Sequence, residues 1–205
     1  MRCVNCGAFS LRTICAACAA NLAECRLSMR QVEGFSVFYY YGYSEIRELI
    51  LSKHHEYGAA VLARIASLSL AKFPLHLQRE ISANPQNYEA FKTNGVFKFN
   101  AVPLDDDARS GYSHTAILAR ALKSELVGPK FHCLRAQNRV KYSGQSLEFR
   151  LKHKRNFKIL TPPQFPVILV DDIITSGLSM LQARETLMQG GFTPVCGLVL
   201  ANAKE

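Results

Sequence analysis

Residues 166 to 177 read Pro166-Val167-Ile168-Leu169-Val170-Asp171-Asp172-Ile173-Ile174-Thr175-Ser176-Gly177. The run 166–170 is continuously apolar and lies between turn signals, which is typical of a central parallel strand buried on both faces. A helix is predicted over 179–189, because apolar residues recur at helical spacing from Met180 onwards. The stretch therefore predicts a strand, a loop and a helix, the repeating unit of an α/β sheet.

The polar part of this stretch has the composition of a ligand site. Asp171 and Asp172 are predicted directly beyond the strand, where open α/β sheets bind ligands, and two carboxylates can accept hydrogen bonds from vicinal ribose hydroxyls. The turn Thr175-Ser176-Gly177 offers hydroxyls and backbone N–H groups to an anion at a helix N-terminus. We therefore predict a sugar-phosphate site over 171–177. The alternative is an Asp-Asp turn followed by an ordinary helix cap.

The rest of the chain also alternates between strand and helix patterns, which predicts parallel neighbours in one sheet. The segment 74–94 is polar and poorly periodic, so we predict a loop or a short helix there. Ser113 is a predicted helix cap, and Gly128-Pro129 is predicted to end that helix. Further strands are predicted over 35–41, 96–102, 131–134 and 195–200, and further helices over 45–53, 59–71 and 113–126.

Four of the seven cysteines form two close pairs, Cys3-x-x-Cys6 and Cys15-x-x-Cys18. A two-residue gap lets two thiolates bind one ion from a tight turn, and Gly7 suits such a turn. Four thiolates are the closed tetrahedral set of structural zinc, so we predict zinc without zinc catalysis. A ribbon this small has little core, and metal binding would supply its folding energy. The alternatives are disulfides, which the cytoplasm disfavours, and four free thiols.

The other three cysteines have a different character. Cys25 lies seven residues beyond the second pair, and we predict a free buried thiol there, although it could substitute as a ligand. Cys133 and Cys196 lie in apolar, strand-like contexts and are predicted to be core residues.

Most of the net charge of +9 is concentrated in one segment. Residues 135–158 contain eight basic residues and one acidic residue, Glu148. Such a segment attracts a polyanion such as nucleic acid or pyrophosphate. The alternative is a solvated loop or helix face that aids solubility.

The sequence also bears on location. We see neither the apolar stretch of a signal peptide at the N-terminus nor an apolar run of about 18 residues that would span a bilayer. We therefore expect a cytoplasmic protein, and peripheral association with the inner face of the cytoplasmic membrane is compatible with this.

With the predicted sugar-phosphate site over 171–177 and the cysteine pairs together, the sequence resembles the ComF family of competence proteins, a branch of the type I phosphoribosyltransferases. The matching pieces occur in the same order over nearly the whole chain. They are the paired Cys-x-x-Cys head, Leu49-Ile50-x-x-Lys53 near Gly58, Val102-Pro103, Arg109-x-Gly111-Tyr112, Gln145, Arg150, Asn156-Phe157 and the stretch 170–177.

The resemblance implies an α/β fold with the Rossmann-type sheet of type I phosphoribosyltransferases over 31–205 and a four-cysteine zinc ribbon over 1–30. It implies binding of phosphoribosyl pyrophosphate (PRPP) with Mg²⁺, and a role in natural transformation, where incoming single-stranded DNA is handled on the cytoplasmic side with a helicase-like partner. It also implies roles for individual residues. Those for PRPP are Asp171, Asp172, Ile173, Ile174, Thr175, Ser176 and Gly177, the two aspartates being the catalytic candidates, and those for the pyrophosphate or a flap are Lys53, Arg109, Arg139 and Lys141. The alternative for Lys53 is a charge that stabilises a helix C-terminus.

Three interpretations stay open at this point. The first is a PRPP-binding fold used in DNA uptake, with or without catalysis. The second is a nucleobase salvage phosphoribosyltransferase with a zinc appendage. The third is a zinc-ribbon nucleic-acid binder whose sugar-phosphate loop is a relic. We favour the first on the resemblance.

Overall fold

A computed structural model describes residues 1–104, 111–138 and 155–204. Within these residues the chain forms six α-helices and eleven strands. The helices are α1 (Ala16–Ala23), α2 (Tyr43–Leu51), α3 (Gly58–Leu68), α4 (Phe73–Ala83), α5 (His114–Arg120) and α6 (Leu178–Gln189). The strands are β1 (Ser28–Val32), β2 (Phe35–Tyr39), β3 (Tyr41–Gly42), β4 (Lys92–Thr93), β5 (Val96–Phe97), β6 (Phe99–Pro103), β7 (Val127–Pro129), β8 (Leu134–Ala136), β9 (Phe157–Ile159), β10 (Val167–Ile174) and β11 (Pro194–Asn202).

The centre of the molecule is a seven-stranded sheet with the order β1-β2-β11-β10-β6-β7, in which β3 also pairs with β11. Only the β1–β2 pair is antiparallel, and the other described pairs of this sheet are parallel. The fold is therefore mixed α/β with a mostly parallel central sheet, which is compatible with a Rossmann-like fold.

Strand β10 is buried on both faces, as the apolar run predicted. Ile168 and Val170 belong to a core formed with α2, α3 and α5. Val167 and Leu169 belong to a second core formed with α6. Because side chains alternate along a strand, these two sets must lie on opposite faces of the sheet. Helices therefore cover both faces, which explains why the strand reads as an unbroken apolar run.

The same strand is longer than the sequence predicted. Its pairing with β6 ends at Val170, opposite Pro103, whereas its pairing with β11 continues to Ile174, opposite Asn202. The residues Asp171 to Ile174 are thus part of β10 and not of a loop beyond it, which corrects our prediction. Among the described residues their backbone pairs only with β11, and this extension lies at the carboxyl edge of the sheet next to β6.

The cysteine-rich N-terminus packs directly on the rest of the protein. Helix α1 contacts α3, and Cys3, Ile14 and Cys18 are buried in the same core as α3. Strand β1, which spans the predicted boundary at residue 30, pairs with β2 along the whole of its length. The head therefore shares the main hydrophobic core.

Three predicted elements differ from the structure in their extent. The polar region 74–94 begins with an 11-residue helix, α4. Its proline, Pro74, lies in the first turn, where a missing N–H costs no hydrogen bond, and the apolar side chains of this helix face the core. The helix that Ser113 caps ends at Arg120, and Gly128-Pro129 lies in β7. The short strand predicted over 131–134 begins only at Leu134.

One stretch of the described residues, Gly58–Ala83, is long and apolar enough by composition to cross a membrane. Half of its most apolar window is buried inside the protein. The stretch consists of α3, a 3₁₀ turn over Leu70–Lys72 and α4, and its buried residues lie in the core. It therefore has the character of core helices, which pass the same test of length and composition.

Candidate functional site

Asp172 is the centre of a charged cluster at the carboxyl edge of the sheet. Its side chain is only 6% exposed, and its Oδ2 accepts a hydrogen bond from Nζ of Lys53, whose side chain is 21% exposed. The Nε2 of His114 lies 3.9 Å from the same oxygen. A largely buried carboxylate is stable only with such partners, because burial removes its hydration.

The position of Lys53 depends on a tightly packed turn. Lys53 lies in the 3₁₀ turn Ser52–His54 that follows α2, and its carbonyl oxygen accepts a hydrogen bond of 2.9 Å from the hydroxyl of Tyr112. A Cβ atom at Gly58 would overlap both the carbonyl oxygen of Ser52 and the hydroxyl of Tyr112. Gly58 is therefore required for the close approach that brings Lys53 to Asp172.

His114 is placed by the start of α5. The hydroxyl of Ser113 accepts a hydrogen bond of 3.1 Å from the backbone N–H of Ala116, which confirms the predicted cap. His114 is the first residue of the helix, so its side chain leaves the backbone from the capped turn.

The charges in this cluster stabilise one another. Burial alone would raise the pKa of Asp172, but the charges of Lys53 and His114 and the hydrogen bond from Lys53 hold it below its usual range. Burial alone would lower the pKa of Lys53, but the charge of Asp172 raises it. Both groups are therefore ionised at neutral pH and form a buried ion pair.

Asp171 differs from its neighbour. It follows Val167 and Leu169 in the alternation along β10 and so begins on the α6 face of the sheet. Its Oδ1 accepts a hydrogen bond of 2.9 Å from the backbone N–H of Asp172. Burial, together with the charge of Asp172, raises the pKa of Asp171 to about 7, although the nearby cation Arg155 opposes this. One carboxylate of the pair is thus firmly ionised, and the other is half-protonated near neutral pH.

The turn after β10 presents backbone N–H groups at the N-terminus of a helix. Thr175 is exposed and Ser176 half-buried, and Gly177 has a φ of +86°, a left-handed conformation that favours glycine. Helix α6 begins at the next residue. In the described part of the chain, no acceptor takes the backbone N–H of Ser176 or of Gly177. These donors lie at a helix N-terminus, where an anion is favoured.

Strand β1 packs against this turn. The sequence analysis did not predict this contact. Arg30 donates from Nη1 to the carbonyl oxygen of Thr175 at 2.8 Å and to Oδ1 of Asn202 at 3.2 Å. Val32 packs against Gly177, where an added Cβ would lie 2.6 Å from Cγ1 of Val32. The positive charge of Arg30 and the alternation of β1 are visible in the sequence, but its distance of 145 positions from Thr175 hides the contact.

His114 and Arg155 were also missed as neighbours of the carboxylates. Ligand atoms of His114, Asp171 and Asp172 lie within 4.8 Å of one another, an arrangement that can bind a cation. Lys53 already donates to Asp172, so a metal ion there would compete with the ammonium group. The pairing of His114 with Asp172 had no local signal in the sequence.

The four predicted zinc ligands are close together. The sulfurs of Cys3, Cys6, Cys15 and Cys18 lie within 4.8 Å of one another, and the Cys6–Cys15 distance is 3.8 Å. A regular tetrahedron with Zn–S bonds of about 2.3 Å has sulfurs about 3.8 Å apart, whereas a disulfide brings two sulfurs to about 2.05 Å. None of the four cysteines is in a disulfide. The cluster is therefore compatible with a zinc site.

The surroundings of these sulfurs favour a cation. Burial would raise the pKa of the Cys3 thiol, but backbone N–H groups, first that of Cys15, lower it to about 6. A hydrogen bond from Asn5 favours the thiolate of Cys18, but burial and the neighbouring cysteines raise its pKa to about 12. One thiolate forms readily and further negative charge is disfavoured, which is the condition that a bound cation relieves.

The remaining cysteines lie outside this cluster. Cys25 is half-buried, and its thiol donates to the carbonyl oxygen of Leu68 at 3.8 Å. Cys133 and Cys196 are buried, and burial raises their pKa values to about 11 and about 12. Their prediction as core thiols is confirmed.

Only the two ends of the basic segment are described. They form an antiparallel ribbon of β8 and β9, in which Arg135 lies directly opposite Lys158. Both side chains are exposed, so the ribbon carries two adjacent positive charges. The predicted pyrophosphate or flap residues Arg109, Arg139 and Lys141 lie outside the described residues.

Comparison with known proteins adds no assignment: no model of a known protein family matches the chain, and no curated protein matches it significantly. The carboxylate pair leads directly into a turn with N–H donors, and the distance between the two is only the length of Ile173-Ile174. Such an arrangement can bind a small molecule that has hydroxyl groups at one end and an anionic group at the other.

Proposed function

We propose that this protein binds PRPP at the carboxyl edge of its sheet and acts in DNA uptake for natural transformation. The observation that carries the PRPP proposal is the continuity of Asp171 and Asp172 with the N–H donors of Ser176 and Gly177 at the start of α6. Carboxylates suit the vicinal hydroxyls of a ribose, and the turn suits its 5-phosphate.

The roles of the residues follow from this geometry. Asp172, ionised and held by Lys53, would accept hydrogen bonds from the ribose hydroxyls, and Asp171 would add a second acceptor on the other side of the sheet edge. In phosphoribosyl transfer, pyrophosphate leaves the anomeric carbon through an oxocarbenium-like transition state, as in glycoside chemistry. The protein would contribute mainly positioning of the reactants, and whether it also completes a transfer depends on an acceptor.

Two metal ions belong to the proposal in different ways. Zn²⁺ would be held by Cys3, Cys6, Cys15 and Cys18 as a structural ion, since four sulfurs leave no open position. Mg²⁺ would arrive with PRPP, because it binds through the oxygens of substrate phosphates. Lys53 is engaged with Asp172, so its role would be to hold this carboxylate and not to bind pyrophosphate directly.

The DNA-uptake role rests on the resemblance to ComF proteins and on the positive charge around residues 135–158. The exposed pair Arg135 and Lys158 would attract the phosphates of single-stranded DNA. A helicase-like partner and a position on the cytoplasmic side of the membrane complete the proposal. A transformation assay in a strain lacking the protein tests this role directly, since normal transformation would contradict it.

Calorimetric titration of PRPP with Mg²⁺ into the zinc-loaded protein tests the site itself. We expect saturable binding to the parent and its loss in the variant Asp171→Asn/Asp172→Asn, because neutral amides replace the carboxylates. The matched control is Glu125→Gln/Glu185→Gln, which removes the same number of negative charges at exposed positions and should bind as the parent does. Equal binding by both double variants, or no binding by a zinc-loaded parent, would refute the proposal.

The same titration separates the salvage interpretation. A salvage enzyme would turn over PRPP steadily with one nucleobase. Pyrophosphate released from PRPP, measured with each of a panel of purines and pyrimidines as the acceptor, would reveal this. Binding of PRPP without a nucleobase preference supports the DNA-uptake interpretation.

A further inference from the structure

We propose that Arg30 is a positioning residue for the turn Thr175-Ser176-Gly177, and that it orients the peptide between Thr175 and Ser176 toward a phosphomonoester. This inference rests on the proposed sugar-phosphate site. Arg30 belongs to β1, which is separated from β10 by β2 and β11 in the order of the sheet. Its side chain nevertheless reaches the turn after β10 and donates to the Thr175 carbonyl oxygen at 2.8 Å.

The guanidinium is itself held by a buried group. Nη1 of Arg30 also donates to Oδ1 of Asn202 at 3.2 Å, and Asn202 is 3% exposed at the end of β11. The same oxygen accepts the backbone N–H of Lys204 at 3.2 Å. Arg30 therefore connects the Thr175-Ser176-Gly177 turn to the buried end of β11.

This contact determines where the next N–H points. The described residues contain no cis peptide bond, and in a trans peptide the C=O and the following N–H point in opposite directions. Because Arg30 holds the C=O of Thr175, the N–H of Ser176 points away from β1. No acceptor among the described residues takes this N–H, so it is available to a ligand on the open side of the turn.

A second contact on the same face of β1 supports this assignment. Val32 lies two residues after Arg30 and therefore on the same face of the strand. Its Cγ1 lies so close to Gly177 that an added Cβ would be only 2.6 Å away. One strand thus presses against the turn at a carbonyl group and at a neighbouring Cα, and the two contacts together restrain the peptide planes on which an anion would sit.

The charge of Arg30 matches the same ligand. In the part of the chain that the structure describes, no carboxylate pairs with this guanidinium. Its positive charge therefore adds to that of the helix N-terminus, and a hydrogen bond from a cation to the Thr175 carbonyl polarises the peptide and strengthens its N–H as a donor. The ligand class that gains most is a phosphate dianion, as on a ribose 5-phosphate.

The test compares Arg30→Ala, Arg30→Gln and Arg30→Lys with the matched control Arg26→Ala, which removes the same charge from a position just before β1. Calorimetry measures ribose 5-phosphate and inorganic pyrophosphate separately. We expect Arg30→Ala to weaken ribose 5-phosphate about tenfold or more, as for a charge-assisted hydrogen bond, with little change for pyrophosphate. Arg30→Lys should restore part of the affinity, since it keeps one charge and a donor, whereas Arg30→Gln should not.

A second readout needs no ligand. In ¹H–¹⁵N spectra of the free protein, the Ser176 amide should shift in Arg30→Ala and Arg30→Gln and remain near its parental position in Arg26→Ala. An unshifted Ser176 amide, or equal losses of affinity in Arg30→Ala and Arg26→Ala, would overturn the positioning role. If the parent binds neither PRPP nor ribose 5-phosphate, the proposed function fails, while the amide shift still decides whether Arg30 orients the loop.

Discussion

Two clusters bring polar groups together: the cysteine head, formed by Cys3, Cys6, Cys15 and Cys18, and the carboxylate edge, formed around Asp171 and Asp172. They draw their members from very different distances along the chain. In the head, Cys6 and Cys15 meet across nine positions. At the edge, Lys53 and Asp172 meet across 119 positions, and Arg30 and Thr175 meet across 145. The first cluster draws all its ligands from residues 3 to 18, whereas the second brings together residues from distant elements of the fold.

The two clusters also differ in how their charge is compensated. The head gathers four sulfurs within 4.8 Å of one another, and two of these cysteines are buried. A metal ion from solution would compensate their negative charge. The edge carries its own cation, Lys53, beside its most buried carboxylate. The head is thus expected to respond to metal removal and the edge to single substitutions.

The largest effect is expected from breaking the head. Cys18→Ser should abolish zinc binding and lower the free energy of unfolding by about 3 kcal/mol or more, because metal binding contributes directly to folding and Cys18 is buried in the main core. Zinc content and thermal unfolding measure this. The control is Cys25→Ser, which lies outside the cluster and should keep its zinc. A Cys18→Ser protein that melts like the parent would show that the head is an independent appendage.

A smaller effect is expected from breaking the edge. Lys53→Met should lower the free energy of unfolding by about 2 to 3 kcal/mol, because it leaves Asp172 charged and largely buried without its cation. Urea unfolding at neutral pH measures the change, and adding Asp172→Asn should recover part of it.

The matched control for Lys53 lies in α2. Arg47→Gln breaks a pair with Glu48 in which both side chains are mostly exposed, and such pairs contribute about 0.5 kcal/mol or less. If Lys53→Met costs no more than Arg47→Gln, the buried pair does not stabilise the edge.

The contrast between the clusters explains how much could be predicted from sequence. The four cysteines, the buried strand at 166–170 and the cap at Ser113 each depend on residues close together in the chain, and the structure has them as the sequence indicated. The partners of Asp172 could not be predicted, because Lys53 reaches it from the 3₁₀ turn after α2 and His114 from the start of α5. The approach of Lys53 also depends on the packing of Gly58 against Tyr112. The extension of β10 through Asp171 was missed because it depends on the length of its neighbour β11.

The pH dependence of stability isolates Asp171 from its neighbour. Its carboxyl would lose a proton near pH 3.8 in the unfolded chain but only at about pH 7 in the folded protein. Between these values the folded state binds more protons, so the contribution of Asp171 to stability falls as the pH rises. The pKa of Asp172 is lowered in the folded protein, so Asp172 affects stability only below this pH range. There its contribution to stability is lost as the pH falls.

Asp171→Asn should therefore gain stability relative to the parent as the pH rises from 4 to 7, by about 2 kcal/mol for this half-buried group. Urea unfolding at several pH values measures the difference. The exposed control Glu185→Gln should show no such trend. A difference between Asp171→Asn and the parent that stays constant over the window would mean that the burial of Asp171 does not disfavour its charge.

The smallest effect is expected from the helix cap at Ser113, and it tests whether this cap influences the charged cluster around Asp172. Ser113→Ala removes the hydroxyl that accepts the N–H of Ala116 and should cost about 1 kcal/mol, whereas Ser113→Asn keeps an acceptor and should cost less. His114 begins the same helix and lies 3.9 Å from Asp172. Fraying of α5 should therefore also weaken PRPP binding, by about twofold to threefold, if roughly half of the lost cap energy is lost from binding. Thermal unfolding and PRPP titration of the two variants separate these effects. A loss of stability without a loss of affinity would mean that the core packing of α5 holds His114, and that the cap serves the helix alone.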